Sequence, residues 1–190
     1  MLNPRETALL VIDMQNDFAE KGALLEVKGI RRNISSFKAF IDFCRKKKVL
    51  IVYTRHCYDP LKNPIEATLF RSLKKNGLRK GMYGWEIFPF LSPEKNDIIL
   101  NKTRYDAFFK TSLHRILKKN GIKNVIITGT MTEVCCESTA RTAMFNDYHV
   151  FFCDSFTYTS RSPVHKKTLS LIESHFGTVV TAQHLTHLFA

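Results

Sequence analysis

The 190-residue sequence has no apolar run that approaches the roughly 20 residues needed to span a bilayer. It also lacks a basic segment ahead of an apolar stretch at its start, so we expect no signal peptide. The five cysteines are odd in number and include no Cys-x-x-Cys pair, which argues against a disulfide framework and favours a reducing, cytoplasmic compartment. In contrast, 44% of the residues are hydrophobic and 12% are aromatic, which excludes a disordered chain. We therefore expect one soluble globular domain over residues 1–190.

The positive charge is in excess, with 29 Lys and Arg against 17 Asp and Glu, a net charge of +12. A basic chain suggests a nucleic-acid partner, but the lysines cluster where helices are expected to end. Arg71–Leu78 and Arg115–Ile122 both place two lysines before Asn-Gly, and Arg45–Lys48 repeats the basic cluster. Lysines in a last turn favour the helix dipole, and Asn-Gly provides a C-terminal cap. No Arg/aromatic motif of the RNA-binding type occurs, so we expect solvated surface charge and no nucleic-acid partner. Rate measurements across salt concentrations test whether this surface steers an anionic substrate.

Short apolar and β-branched runs recur along the chain, and several are continuous rather than alternating. This pattern is typical of strands buried on both faces of a parallel sheet. The predicted strands are Thr7–Ile12, Val49–Thr54, Asp97–Leu100, Val125–Thr128, His149–Cys153 and Thr178–Thr181. The predicted helices between them are Ile30–Lys47, Phe109–Lys119, Val134–Phe145 and Ser162–His175. The alternation predicts a doubly wound α/β fold with six mainly parallel strands and helices on both faces.

One region, Cys57–Pro93, interrupts this alternation and contains four of the six prolines and the single Trp. We interpret it as an excursion that shapes a binding site.

Three chemically active residues follow strands at what is expected to be one edge of the sheet. Asp13 follows the first strand, Lys102 the third, and Cys135 lies in Gly129–Cys135 after the fourth. Ligands in this fold class bind at the carboxyl ends of strands. Taken alone, each residue has a structural explanation. Asp13 could cap a turn, Lys102 could be a surface charge and Cys135 could be a buried apolar residue. Together they predict a site, in which a helix N-terminus would lower the pKa of the Cys135 thiol.

The sequence resembles the isochorismatase-like cysteine hydrolases, which include nicotinamidase, N-carbamoylsarcosine amidase, ureidoacrylate amidohydrolase and biuret hydrolase. The resemblance extends from Ala8 to about Thr181. Three motifs in the family's order carry it, with Asp147–Val150 and Asp154 also fitting. The motifs are Ala8–Phe18 (ALLVIDMQNDF), Lys102–Phe109 (KTRYDAFF) and Gly129–Arg141 (GTMTEVCCESTAR).

The resemblance implies an Asp–Lys–Cys triad formed by Asp13, Lys102 and Cys135, with Cys136 in a packing position. It also implies a cis peptide bond between Thr130 and Met131, and an oxyanion hole made by the backbone N–H groups of Met131 and Cys135. The implied reaction is hydrolysis of a C–N bond in a small amide, ureide or carbamoyl compound, through a covalent Cys135 intermediate and without a cofactor. The family positions further suggest that Phe18, Trp85, Tyr105, Phe109 and Met131 surround the thiol. An ordinary core role remains open for these side chains.

The chain departs from nicotinamidases at their metal site, which uses Asp-x-His and a later His. The matching positions here hold His56 and Tyr58, and no histidine lies between His56 and His114. A lone imidazole is a poor metal site, so we expect metal-independent chemistry, and His56 then lines the pocket entrance or lies on the surface. Three alternatives stay open: a vinyl ether hydrolase of the isochorismatase type, a non-catalytic binding protein, and a redox protein using the pair Cys135 and Cys136. By resemblance we expect a homo-oligomer that acts on a small molecule.

Overall fold

The computed structural model describes residues 1–59, 61, 64–69, 73 and 77–189. Its centre is a six-stranded sheet in the order β3-β2-β1-β4-β5-β6, and every neighbouring pair is parallel. The strands are β1 (Thr7–Ile12), β2 (Leu50–His56), β3 (Ile98–Lys102), β4 (Asn124–Thr130), β5 (His149–Tyr158) and β6 (Thr178–Val180). The predicted doubly wound α/β fold is confirmed.

Helices cover both faces of this sheet. They are α1 (Asn16–Ala19), α2 (Ile34–Lys46), α3 (Pro64–Leu69), α4 (Leu113–Lys119), α5 (Glu137–Phe145), α6 (Ser162–His175) and α7 (Ala182–Leu188). Helices α2 and α7 pack into one apolar core with Leu9 and Val11 of β1. Helices α4, α5 and α6 pack into a second core with Leu10 and Ile12, which point to the opposite face. Every residue of β1 is buried because both of its faces are covered.

Strands β2, β3, β4 and β5 extend further towards their carboxyl ends than the apolar runs indicate, whereas β1 ends as predicted and β6 ends one residue earlier. β2 continues to His56, and β5 continues five residues beyond the predicted Cys153. The polar residues His56 and Lys102 lie opposite each other in the register of β2 and β3. The backbone pairing of these two strands therefore continues after their apolar residues end. These polar strand ends line the edge where the site is expected.

Helix boundaries differ from the predicted ones in several places. The segment from Phe109 becomes α-helical only at Leu113, and α2 begins at Ile34 after a separate 3₁₀ turn. Helix α7 was not predicted, because its short segment is rich in His and Thr and lacks a strong apolar period. None of the described helices is long and apolar enough to cross a membrane.

The basic clusters predicted to end helices differ in their backbone conformation and in their exposure to solvent. Gly121 takes the expected left-handed conformation after α4, and Lys48 takes the same conformation after α2 although it carries a side chain. Arg45 is not a solvated charge, because its guanidinium pairs with the buried carboxylate of Asp97 at 2.6 Å. Most of the predicted helix end at Arg71–Leu78 lies outside the described residues.

From β1 the chain adds β2 and β3 on one side of the sheet and then returns to add β4, β5 and β6 on the other side. The switch point therefore lies between the neighbouring strands β1 and β4. In open α/β sheets such a switch point opens a crevice at the carboxyl ends of the strands. Asp13 follows β1 directly, and the segment leading to Cys135 follows β4, so both residues lie at this switch point.

Candidate active site

Asp13, Lys102 and Cys135 converge at the carboxyl edge of the sheet. Lys102 Nζ lies 2.7 Å from Asp13 Oδ2, and neither side chain has exposed surface. The Cys135 Sγ lies within 4.8 Å of both an Asp13 carboxylate oxygen and a His56 ring nitrogen. The structure thus brings a carboxylate, an ammonium and a thiol together in a setting shielded from water.

Thr54 of β2 holds the carboxylate of Asp13 in place. Its hydroxyl donates to Asp13 Oδ1 at 2.6 Å and accepts the Asp13 backbone N–H at 3.1 Å. Asp13 itself has φ of 49°, a left-handed conformation that is uncommon for a residue with a side chain. One carboxylate oxygen therefore faces Thr54 and the other faces Lys102.

Lys102 is anchored on several sides. Its ammonium donates to the backbone oxygens of Arg104 at 3.0 Å and Tyr105 at 2.9 Å, and it lies 3.3 Å from His56 Nδ1. Burial alone lowers the pKa of this ammonium, but the neighbouring Asp13 and Cys135 outweigh that effect, and the pKa of Lys102 lies above its ordinary value. Lys102 is therefore a fixed positive charge at neutral pH.

The nucleophile candidate lies in a π-helical turn, Thr132–Cys136, rather than at the start of an α-helix. The expected lowering of its pKa is wrong. Burial raises the pKa of the Cys135 thiol well above its ordinary value, and Asp13 adds to this effect while Lys102 opposes it. The resting group is thus a thiol that needs a base, and Asp13 lies beside it.

The neighbouring Cys136 points away from this cluster. Its Sγ lies 3.9 Å from the backbone oxygen of Thr128 in β4, and its side chain is fully buried in the core under α5. Because Cys135 faces the carboxylate and Cys136 faces the sheet, the geometry separates the two adjacent thiols.

The segment before Cys135 approaches β1 very closely. Gly129 has φ of +111°, and a Cβ at this position would lie 2.0 Å from the backbone oxygen of Ile12. Only glycine fits this approach. The peptide bond between Thr130 and Met131 is cis, and Met131 leads directly into the turn that carries Cys135.

A cavity of about 120 Å³ opens onto the Cys135 thiol. Its lining is mostly apolar, with Glu66 as a buried carboxylate among the side chains. The lining residues are Phe18, Leu25, His56, Glu66, Leu73, Leu78, Tyr105, Met131, Val134 and Cys135. Of the residues suggested for the pocket, Phe18, His56, Tyr105 and Met131 thus border this cavity.

Two suggested pocket residues lie elsewhere. The Trp85 ring is buried against the Arg55 guanidinium, 3.8 Å from ring centroid to Cζ, and does not border the cavity. Phe109 is 44% exposed and borders a second cleft, with Asp106 and Ser138, on which Tyr105 also lies. Phe108, the preceding residue, is buried in the second core, where its ring lies against Tyr148.

His56 lies inside the site, neither at an entrance nor on the surface, and is only 2% exposed. A carboxylate only accepts, so the hydrogen of the neutral His56 ring is assigned to Nε2, which faces Glu66, while Nδ1 faces the Lys102 ammonium. Nε2 lies 2.8 Å from Glu66 Oε1. Gln15 fixes the same strand end, since its side chain accepts the His56 N–H at 2.8 Å and donates to the Trp85 carbonyl at 2.7 Å.

Sequence reasoning missed Glu66, Thr54 and Gln15 as site residues. Glu66 lies in the Cys57–Pro93 excursion, where no periodic pattern assigns a direction to a side chain. Thr54 lies two residues before the end of β2, and Gln15 lies three residues after the end of β1. For Gln15, proximity to Asp13 in the motif was the available signal.

Among the described residues, one group of potential metal ligands occurs, formed by Asp13, His56 and Cys135. It contains a single imidazole, and the Lys102 ammonium already lies against both Asp13 and His56. These donors therefore face a fixed cation of the protein, which is a poor setting for a divalent ion.

The chain is similar in sequence and in fold to known proteins. The model of the isochorismatase domain matches residues 7–184. The ureidoacrylate amidohydrolase RutB of Rhizobium rhizogenes is 30% identical, with 95% of this chain and 82% of the relative covered. A cysteine hydrolase from Pseudomonas syringae superposes with a TM-score of 0.93 and 26% identity over 99% of this chain and 94% of that chain.

The pyrazinamidase of Pyrococcus horikoshii, solved in complex with zinc, superposes with a TM-score of 0.81 and 26% identity. The match covers 93% of this chain and 99% of that chain. The family model covers most of the sequence, and the fold and the order of its motifs agree. The chain belongs to the isochorismatase domain family.

Proposed function

We propose that the protein is a metal-independent cysteine hydrolase that cleaves a C–N bond in a small amide, ureide or carbamoyl compound. The observation that carries this proposal is the placement of the Cys135 thiol between a buried Asp13–Lys102 pair and a small apolar cavity. The relatives in the comparisons include proteins named as amidohydrolases, which supports the same reaction class.

Asp13 acts first as a general base in this proposal. Its carboxylate takes the proton of the Cys135 thiol while the sulfur attacks the substrate carbonyl, forming a tetrahedral intermediate. Asp13 then gives that proton to the departing nitrogen, the C–N bond breaks, and an acyl group stays on Cys135. Asp13 next takes a proton from a water molecule whose oxygen attacks the thioester carbonyl. The C–S bond breaks, the acid product leaves, and Asp13 returns the proton to the Cys135 thiolate. The raised pKa of Cys135 supports this order, because the resting sulfur is protonated.

Lys102 supplies a permanent positive charge beside the two groups that change charge. When Cys135 loses its proton, the ammonium stabilises the thiolate, and when Asp13 regains its charge, the same ammonium is its counterion. The oxyanion of the intermediate is assigned to the backbone N–H groups of Met131 and Cys135. The support for this assignment is the position of both residues in the segment that enters the thiol-bearing turn.

The cavity favours a small substrate with N–H groups to donate. Its volume is about 120 Å³, and the Glu66 carboxylate is a buried acceptor within an otherwise largely apolar lining. An amide or ureide N–H suits such an acceptor, whereas an anionic group next to it would be repelled. A carboxylate on the substrate therefore lies at the end away from Glu66.

We place the reaction in the cytoplasm, and the five free cysteines support this, since four of them are buried thiols that need no oxidising environment. We also expect a homo-oligomer, as the resemblance to the family implies. Light scattering during size-exclusion chromatography measures that assembly state.

The proposed function is tested by screening small amides, ureides and carbamoyl compounds for ammonia release, with Cys135→Ala as the blank. Turnover that disappears in the variant supports the proposal. Failure to release ammonia from any compound contradicts it. Cleavage of isochorismate that survives Cys135→Ala would instead identify a vinyl ether hydrolase.

A further inference from the structure

A second polar chain lies behind the nucleophile-bearing turn, outside the catalytic cluster. His165, in the first turn of α6, has its Nε2 2.8 Å from Asp154 Oδ1 and its Nδ1 2.9 Å from the hydroxyl of Thr132. Both ring nitrogens are therefore engaged, one by a carboxylate and one by a hydroxyl. Neither Asp154 nor His165 borders the cavity beside Cys135.

Asp154 determines the direction of these hydrogen bonds. A carboxylate only accepts, so His165 Nε2 carries a hydrogen that points to Asp154. In the neutral ring, Nδ1 is then an acceptor and takes the hydrogen of the Thr132 hydroxyl. The hydroxyl of Thr132 is thus fixed by a partner that is itself fixed.

Thr132 occupies the position where such a restraint affects the chemistry. It is fully buried, it follows Met131 directly, and it begins the π-helical turn that contains Cys135. A shift of its side chain would move both the Met131 N–H and the Cys135 sulfur, since they lie on either side of it in the chain. Misplacement by about 1 Å is enough to reduce a reaction rate about a hundredfold.

Two further contacts tie the same segment to β5 and to the loop that follows it. The Thr130 hydroxyl donates to the Tyr158 carbonyl at 3.2 Å, and the Thr159 hydroxyl donates to a Glu133 carboxylate oxygen at 2.8 Å. The contact at Thr132 differs from these because its partner on α6 is itself oriented by a carboxylate.

We propose that His165 is a positioning residue for the proposed hydrolysis, holding Thr132, and through it Met131 and Cys135, in register with the substrate carbonyl. The expected effect of His165 on the reaction rate rests on the proposed function. The restraint on the turn itself exists without any substrate.

The kinetic test compares His165→Ala with His165→Asn, because the Asn oxygen can take the place of Nδ1 as the acceptor for Thr132. We expect His165→Ala to lower kcat by about tenfold to a hundredfold with KM little changed, and His165→Asn to recover most of the loss. The control is His184→Ala, an exposed histidine in α7, which leaves kcat unchanged. A loss that appears only in KM, or equal losses in the Ala and Asn variants, would overturn the proposal.

A double-mutant cycle tests the route through Thr132. Thr132→Val removes the hydroxyl and keeps the shape, so adding it to His165→Ala should lower kcat no further than either change alone. Effects on kcat that multiply would show that His165 acts by another route.

Hydrogen exchange of the peptide covering Met131–Cys136 gives a reading that needs no substrate. We expect faster exchange in His165→Ala and wild-type exchange in His165→Asn and His184→Ala. Unchanged exchange in His165→Ala contradicts the positioning role even if the enzyme is active. Absence of ammonia release by the wild type contradicts the proposed function, while the exchange result still decides the role of His165.

Discussion

Asp13 and Lys102 form an ion pair, 2.7 Å from Oδ2 to Nζ, in which neither side chain reaches solvent. Removing one partner of such a pair leaves an uncompensated buried charge, which costs about 3–5 kcal/mol in general. Both charges also act on the Cys135 thiol, because Asp13 raises the pKa of that thiol and Lys102 lowers it. Its two members therefore have opposite effects on the same sulfur.

The first prediction is that Asp13→Asn and Lys102→Met shift the thiol pKa in opposite directions. Without the Asp13 charge the pKa of Cys135 falls, and the thiolate forms at lower pH. Without Lys102 the pKa rises, and the thiolate forms at higher pH. The rate of iodoacetamide alkylation at Cys135, followed by peptide mass spectrometry across pH, measures both shifts.

Both variants are expected to lose turnover although their thiol profiles move apart. The double variant Asp13→Asn/Lys102→Met contains neither buried charge and serves as the reference for burial alone. Alkylation profiles that move in the same direction along the pH axis would contradict the effects assigned to Asp13 and Lys102. Melting temperatures establish that each variant is folded.

A second prediction concerns Thr54, whose hydroxyl bridges the carboxylate and the backbone N–H of Asp13. Thr54→Val keeps the shape but removes the hydroxyl contact from Asp13 Oδ1 and from the Asp13 backbone N–H, which we expect to destabilise the fold by about 1–3 kcal/mol and to lower kcat. Thr54→Ser restores the hydroxyl and should recover kcat. Urea unfolding and steady-state kinetics check both effects, and a fully active Thr54→Val would show that the bridge is unnecessary.

The third prediction is that Glu66→Gln raises KM more than it lowers kcat. Loss of a charge-assisted hydrogen bond of about 1.4 kcal/mol corresponds to roughly a tenfold weaker interaction with a substrate N–H. Glu94→Gln changes an exposed carboxylate and is the matched control. An unchanged KM in Glu66→Gln, for a substrate that donates an N–H, would remove Glu66 from substrate recognition.

A fourth prediction follows from the ammonium that faces Asp13 and His56. Because this cation lies against the donor atoms that a divalent metal would need, dialysis against EDTA should leave kcat unchanged. Metal analysis of the purified protein should find less than stoichiometric zinc, iron or manganese. Activity that is lost in EDTA and restored by one of these ions would contradict metal-independent catalysis.

The residues of the proposed triad were proposed from the sequence on two grounds. Asp13 and Lys102 lie at or just after strand ends, and the family motif selects Cys135 in the segment that follows β4. The apolar pattern gives the order and approximate position of the strands, and parallel strands bring their carboxyl ends to one edge. The direction of a side chain in an irregular segment is not visible, so Trp85 and Phe109 were assigned to the wrong place and Glu66 was missed. The pKa of Cys135 was also misjudged, because its burial depends on elements distant in sequence, such as β1 and β3.

The central claim is that the reaction passes through an acyl group on Cys135, and acid quenching during turnover tests it most directly. Mass spectrometry of the quenched protein should show an adduct with the mass of the acyl group on Cys135, both in the wild type and in Cys136→Ala. Cys135→Ala should show neither adduct nor turnover. Ammonia release that persists in Cys135→Ala, or an adduct that maps to Cys136, would contradict the account.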